Sequence, residues 1–555
     1  MTPASRSPLT GADLLVAALR REGVSHVFGL PGTTIMHLID ALYGSPVRYI
    51  SARHEQVAAF MADGYARASG SAGVCMASRG PGAANLTIGV HNAHAESVPM
   101  LVLLGQVADD ISYRDAFEEM DLVRFFEPVT KHAFEVHDAR RIPELAQRAI
   151  RLAESGRPGP VLLSLPLNVQ AASPAESPLF TRFRPAAPAP DDVAVGAAAA
   201  ALARASRPVI IAGGGVASFE PGLVQLATRL NIPVVTSWLR KNVFPNDSPL
   251  FCGSLGYGAV EVTDSLVRKA DVILALGCRF SEFATRRWTL LPAESALIQV
   301  DIDPEVLGRV HVPAIGICAD AALTTAALLA ALDADAGAAT GRQAYARAAR
   351  TAYLAQVQLP EPVPRPGTVS SAGMIKALRA ILDPGTVLVQ DAPSLGTWIH
   401  RYLDFVHRQA FYAAAGGAMG WGLPAAMGIQ LARPHARVVT VSGDGSFWMV
   451  AQDLETAVRE RLPVVNIINN NFAFGNTRDR QRTAHGGRYH GVFYANPDFA
   501  AFARLLGAHG ERVERDQDLV PAIRRALDSG LPAVIDCVQD KHDGLPPDLV
   551  PPAAR

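Results

Sequence analysis

The sequence has almost no net charge: 51 lysines and arginines against 52 aspartates and glutamates leave −1 over 555 residues. No global field is available to recruit nucleic acid or an anionic membrane, so a polyanion-binding role is disfavoured. Cysteine is scarce as well. Cys75, Cys252, Cys278, Cys318 and Cys537 are scattered without a CxxC pair, which suits neither a disulfide framework nor a zinc site and makes reduced cytoplasm the expected compartment. Charged residues are only 19% of the chain against a usual ~25%, yet no clean apolar run accompanies that deficit. The charge-free stretch Phe411 to Ala432 is interrupted by Gly416, Gly417, Gly420, Gly422, Pro424 and Gly428, a poor composition for a lipid-facing helix. At the N-terminus, Leu14 to Leu19 is too short for a secretory core and runs into Arg20, Arg21 and Glu22. Neither a membrane span nor a targeting signal is expected.

What the chain does have is length, enough for three or four domains of ~150 residues. Two proline-rich segments divide it. One is Ala171 to Pro190, with Pro174, Pro178, Pro185 and Pro188; the other ends in Pro360, Pro362, Pro364, Pro366 and Gly367. The expected domains are residues 1–172, 191–335 and 368–555. In each, short β-branched runs alternate with Ala/Leu-rich helical segments, which predicts three consecutive doubly wound α/β domains with parallel sheets. Strands are expected at Val47–Ser51, Gly73–Ala77 and Met100–Leu104, at Pro208–Ala212, Val272–Leu276 and Leu297–Asp301, and at Thr386–Gln390, Arg437–Val441, Val464–Ile468 and Ala533–Cys537. Three similar architectures in series suggest distant duplicates, on geometric grounds only.

Chemistry enters where the strand beginning at Arg437 stops at Gly443-Asp444-Gly445-Ser446. A helix is expected from Met449 to Arg461, followed by a second strand that stops at Asn469-Asn470-Asn471. In a right-handed βαβ unit both strands point the same way, so Asp444 and Asn471 emerge at one sheet edge. A carboxylate and an amide oxygen there suit a hard cation such as Mg2+, while Gly443 and Gly445 let backbone N–H groups approach a diphosphate. Alone, the glycine motif is equally a tight strand-to-helix turn.

The pair of motifs, GDG and then Asn470-Asn471 after 24 intervening residues, resembles the signature of thiamine diphosphate enzymes. The resemblance implies a metal held by Asp444, Asn471 and the carbonyl of Ala473. Arg53-His54-Glu55-Gln56 and Ala62-Asp63-Gly64-Tyr65-Ala66-Arg67 are similar to the acetolactate-synthase-like segment that presents a glutamate to the aminopyrimidine. By that resemblance Glu55 activates the cofactor, with Pro31, Asn85, Gly417, Met419, Gly443, Gly445 and Ser446 also contacting it. Met419 would wedge between the two rings, and the Gly417 carbonyl would accept from the 4′-amino group. Read without the family, Glu55 is a helix-N-terminus acid and Met419 a core gap-filler. The family assembles its sites between subunits, which implies a homodimer or homotetramer in which Glu55 of one chain faces Asp444 of another; a small regulatory subunit is a further expected partner.

The resemblance extends through Gly29-Leu-Pro-Gly32, Gly80-Pro-Gly-Ala-Ala-Asn85, Asp115-Ala-Phe117 and Gly156-Arg-Pro-Gly-Pro160. Departures cluster on the substrate side. Glu118 replaces a usual Gln, Arg480 stands where a tryptophan covers the acceptor pocket, Arg79 replaces a serine, and His91 and His94 replace Ala and Tyr. Together with Gly32 and Phe117 these are the candidate substrate residues, and Arg79, Arg478, Arg480 and Arg482 are equally readable as carboxylate binders or as solvated charges. By the same resemblance the central piece holds FAD, another adenine nucleotide or nothing, with Gly213, Gly214 and Asp301 of that piece and Arg157 of the first as the candidate residues. The leading expectation is decarboxylation of a 2-oxoacid followed by carboligation. A decarboxylase or 2-hydroxyketone lyase resembling benzoylformate decarboxylases is the alternative, since Ala414-Ala415-Gly416-Gly417 is similar there. A non-catalytic subunit should have lost Glu55 or a metal ligand, and this chain retains both.

Overall fold

The computed structural model describes residues 9–174, 181–332, 341–363 and 365–549. Pro178 and Pro364 of the proline-rich segments, and the expected boundary at 335, lie outside the described residues.

Among these, three six-stranded sheets follow one another along the chain, and every strand pairing within them is parallel. The first sheet runs Arg48–Ser51, His26–Gly29, Gly73–Ala77, Met100–Gln106, Pro160–Pro166, His132–Glu135. The third runs Phe411–Ala413, Thr386–Gln390, Arg437–Gly443, Val465–Asn470, Ala533–Val538, His509–Val513. Counted within its own domain, each has the order 2-1-3-4-6-5. The central sheet differs, with order 3-2-1-4-5-6, so the geometry makes a pair of like domains around an unlike one rather than three equivalents. In each outer sheet the chain reverses direction of growth between its first and third strands, leaving a crevice at their C-terminal ends.

Continuous apolar strands form where both faces are covered, as expected for parallel sheets. Pro208–Ala212, Val272–Leu276 and Thr386–Gln390 have the expected limits, whereas Arg437–Gly443 and Val465–Asn470 extend to the motif residues themselves. The expected helix Met449–Arg461 is corrected: helix begins at Asp444–Trp448, passes through a single 3-10 turn at Ala451–Asp453, and resumes as Leu454–Arg459. It breaks at Val450 (φ −139°, ψ 10°), next to the Met449 carbonyl, which accepts from Gln56 Nε2 at 2.6 Å. A tertiary contact has taken a group that a helix would have used.

The first and third domains share a core. The helix Glu55–Ser69 starts with His54 Nδ1 accepting from Gln56 N at 3.2 Å and ends at Gly70 in the left-handed region, φ 71°. It lies against Gly422–Ala432 so closely that a Cβ on Gly64 would meet the Ala425 carbonyl oxygen at 2.3 Å, and one on Gly428 the Met61 carbonyl at 2.0 Å. Arg67, from the same helix, pairs with Asp63 (2.5 Å) and Glu96 (3.2 Å) and lies over the buried Trp421 ring. No helix among the described residues is long and apolar enough to cross a membrane.

Candidate active site

In the third domain the strand order places the crevice between Gln390 and Gly443, and a small cavity opens there, lined by Ala392, Ser394, Met419, Asp444, Asn471 and Ala473 among others. Asp444 is 1% exposed, and burial pushes its carboxyl above the ordinary range. Tyr494 Oη and Asn496 Nδ2 each donate to it at 2.8 Å, one to each oxygen. Asn496 Nδ2 also reaches Asn470 Oδ1 at 2.9 Å, tying the two motifs together. Asn471 Nδ2 donates to Ser394 Oγ at 2.9 Å, which turns its amide oxygen toward the Ala473 N–H, 3.2 Å away. The donor set is thus carboxylate, amide oxygen and a nearby backbone carbonyl, all oxygens, and fits a hard cation. Gly445 has no room for a side chain, since a Cβ would meet Phe474 and Tyr494 at 2.8 Å.

Gly417 and Gly420 both have φ +83°, conformations a side chain would resist. They bend the chain around Met419, and Asp391 secures the far side by accepting from Gly420 N (3.2 Å) and Gly422 N (2.9 Å).

In the first domain the corresponding crevice lies between Gly29 and Ala77. Pro31, Gly32 and Arg79 belong to the loops that leave these strands. Glu55 opens its helix beside them, buried, with Oε2 accepting from Asn85 Nδ2 at 3.0 Å. A Cβ on Gly82 would stand 3.3 Å from Oε1. Neither Glu55 nor any other residue of the first domain lines the Asp444 cavity, and Pro31, Asn85 and Phe117 are exposed.

Comparison with known proteins gives matches over all three domains. Residues 9–125 match the thiamine pyrophosphate enzyme N-terminal TPP binding domain, 195–328 the central domain and 391–537 the C-terminal TPP binding domain. The chain belongs to the thiamine pyrophosphate enzymes. A probable acetolactate synthase large subunit of Methanocaldococcus jannaschii is 34% identical over 99% of this chain and 94% of its own. Acetolactate synthase isozyme 2 large subunit of Escherichia coli is 33% identical over 98% of each, and acetolactate synthase 1, chloroplastic, of Zea mays 33% over 97% and 87%. The chain is therefore an acetolactate synthase-like enzyme of this family.

A second, larger cavity of about 680 Å³ lies between the first and central domains of this thiamine pyrophosphate enzyme. Arg157, Gly214 and Asp301 line it, joined by Arg240 and Arg279. Gly213 does not. A Cβ there would meet the Gly277 carbonyl at 2.1 Å, so this glycine serves the packing of adjacent strands. Burial and the Arg157 charge hold Arg279 below its ordinary pKa, the signature of crowded cations that an anion would relieve.

The candidate substrate residues do not all converge. His91 and His94 share the helix Pro81–Glu96 with Asn85, but His94 sits 14 residues from Gly80, roughly 20 Å along the axis. It faces Arg157 and Arg279, and burial depresses its pKa; it belongs to the large cavity's surroundings. Arg478 is fully buried against Asp479 (3.0 Å), and Arg482 pairs with the same carboxylate (2.7 Å). Arg480 is exposed on the helix Gly475–Ala484. Arg79 remains beside Phe117 and Glu118, its Nε donating to the Phe117 carbonyl at 2.9 Å.

Several contributors escaped the sequence reading. Asp391, Ser394, Tyr494 and Asn496 come from two separate loops, and no local pattern marks them. Asn496-Pro497-Asp498-Phe499 is the exception: its aspartate caps the helix Phe499–Leu505, and that turn aims Asn496 at Asp444.

Proposed function

We propose that this enzyme decarboxylates a 2-oxoacid and ligates the resulting two-electron nucleophile to a second carbonyl. The observation that supports it best is a complete set of cofactor groups: Asp444 held by Tyr494 and Asn496, and Glu55 held by Asn85. Asp444, Asn471 and the Ala473 carbonyl would hold Mg2+, which supplies positive charge for a diphosphate. Gly443, Gly445 and Ser446 give the phosphates an approach without side-chain obstruction. When bound, thiamine diphosphate supplies a carbon nucleophile and an electron sink for CO2 loss. Glu55 would hold and share a proton at the pyrimidine nitrogen, Met419 would lie against the rings, and Pro31 and the Gly417 carbonyl would hold the pyrimidine.

The exposure of Pro31 and Asn85, and the absence of first-domain residues from the Asp444 cavity, favour a homodimer or homotetramer in which Glu55 of one chain meets Asp444 of another. Relatives named as large subunits make a small regulatory subunit a further partner. The large cavity, with cations for a diphosphate and Asp301 at a strand end for a ribose, suits FAD. Residues 1–172, 191–335 and 368–555 are the proposed domain limits, and cytoplasm the proposed compartment.

The test is product analysis with a panel of 2-oxoacids and purified protein reconstituted with thiamine diphosphate and Mg2+. Acyloin or acetohydroxyacid product is expected. Aldehyde alone would replace this reading with a decarboxylase.

A further inference from the structure

Arg79 is a buried cation without a buried anion. The residue is 7% exposed, and among the described residues no carboxylate lies within ion-pairing distance. Its Nε is used by the Phe117 carbonyl, but Nη1 is fully buried and has no hydrogen-bond partner. Two acids, Glu118 and Glu119, follow Phe117 in the chain. Glu119 is held by its own loop, through Tyr113 N (2.6 Å) and Ala116 N (3.1 Å). Glu118 contacts Gly80 through its backbone and Cβ, with a Cβ on Gly80 coming within 2.7 Å of the Glu118 carbonyl.

Two well-covered arginines elsewhere are paired with carboxylates, whereas the buried Arg342 donates to backbone carbonyls and, like Arg79, leaves Nη1 without a hydrogen-bond partner. Arg67 has Asp63 and Glu96, and Arg478 has Asp479. Buried charge is ordinarily paired, and one left open at a sheet-edge crevice is a candidate ligand site. The position of Arg79 says where that ligand lies. It is the second residue after the strand Gly73–Ala77, at the crevice where the first sheet reverses its order, and it directly precedes the turn that carries Gly82 and Asn85 to Glu55.

We propose that Arg79 selects substrates carrying a second anionic group, a carboxylate or sulfonate that survives the reaction. The retained group is the one at issue because a guanidinium clamped on the departing carboxylate would stabilise the ground state and oppose loss of CO2. The proposal deepens the 2-oxoacid reading given above, and rests on it for the chemistry after binding but not for binding itself.

The test compares binding to the holoenzyme, by calorimetry, of pairs that share a carbon skeleton and differ by a terminal carboxylate against a methyl: 2-oxoglutarate against 2-oxopentanoate, and oxaloacetate against 2-oxobutyrate. Wild-type protein should favour the dianion of at least one pair by about 10- to 100-fold, the worth of a charge-assisted hydrogen bond to a buried partner. Arg79→Gln should reduce that ratio to near one, and Arg79→Lys should restore part of it. Thiamine diphosphate affinity checks the fold of each variant, and Arg79→Ser serves if the glutamine variant does not fold. A wild-type ratio near one for both pairs overturns the proposal, as does a ratio that survives loss of the guanidinium. Turnover is read separately. Selective dianion binding without CO2 release from any 2-oxoacid would sink the proposed reaction and leave the role of Arg79 standing.

Discussion

Asn85 Nδ2 donates to Glu55 Oε2 at 3.0 Å across two helix beginnings. The amide fixes one carboxylate oxygen, while Gly82, lacking a side chain, keeps space beside the other. One oxygen is thus held by protein and one left for a partner. Glu55→Gln should retain thiamine diphosphate yet slow hydrogen exchange at the cofactor's thiazolium C2 by roughly 100-fold or more, the usual effect of losing a positioned acid–base group. Asn85→Ala should give a smaller loss of the same kind. NMR-monitored H/D exchange measures both, and near-normal exchange in Glu55→Gln would remove the assignment.

Asp444 depends on two donors from one loop, Tyr494 and Asn496, each at 2.8 Å. Groups that orient a metal ligand are commonly worth 10- to 100-fold in metal affinity. Tyr494→Phe and Asn496→Ala should therefore each raise the Mg2+ concentration that half-saturates the enzyme by about that factor. Asp444→Asn and Asn471→Ala should do so more strongly. Titration of metal-stripped protein with Mg2+, followed by thiamine diphosphate binding, reads the effect; unchanged half-saturation in Asp444→Asn would contradict the metal assignment.

Asp453 ties the domains together, accepting from Arg53 N at 2.7 Å just ahead of Glu55. Its other oxygen is buried without a hydrogen bond, and burial pushes its pKa from 3.8 up to about 6. A raised folded-state pKa means the native protein holds the proton more tightly than the unfolded chain. The stabilising contribution is fully present below pH 3.8 and is lost as pH rises through about 6. Asp453→Asn, which keeps an acceptor for Arg53 N, should become more stable relative to wild type over that window, approaching roughly 3 kcal/mol above it. Paired thermal melts from pH 4.5 to 7.5 should diverge; parallel curves would count against the shift.

Legibility differed by the range of the interaction involved. Strands buried on both faces, such as Val272–Leu276, have the expected limits because their signals are local. So do the motif residues, since Asp444 and Asn471 need only two strands of one βαβ unit to meet. The broken helix after Trp448 was not legible, because Gln56 of another domain accounts for the break. Nor was the fate of the arginines in 478–482: Arg478 and Arg480 are two residues apart on one helix, yet one is fully buried against Asp479 and the other exposed. Periodicity marks a helix face, but which face is buried depends on what packs there.

Gly64 and Gly428 make the tightest helix crossing between the first and third domains, and the crossing sets where Glu55 enters the fold. Replacing a helical glycine with alanine ordinarily gains about 1 kcal/mol. At Gly428, however, the added methyl would meet the Met61 carbonyl at 2.0 Å and the Tyr65 nitrogen at 2.8 Å, both backbone atoms that cannot swing aside. Overpacking should win, lowering the melting temperature by roughly 5–10 °C. Gly196 is the internal control. It lies in the helix Asp192–Arg204, exposed, with nothing within 4 Å of a Cβ, so Gly196→Ala should leave melting unchanged or raise it by about 2 °C. Opposite signs for the same chemical change separate packing from propensity. Equal shifts would mean that the two domains do not meet through these helices as closely as the crossing requires.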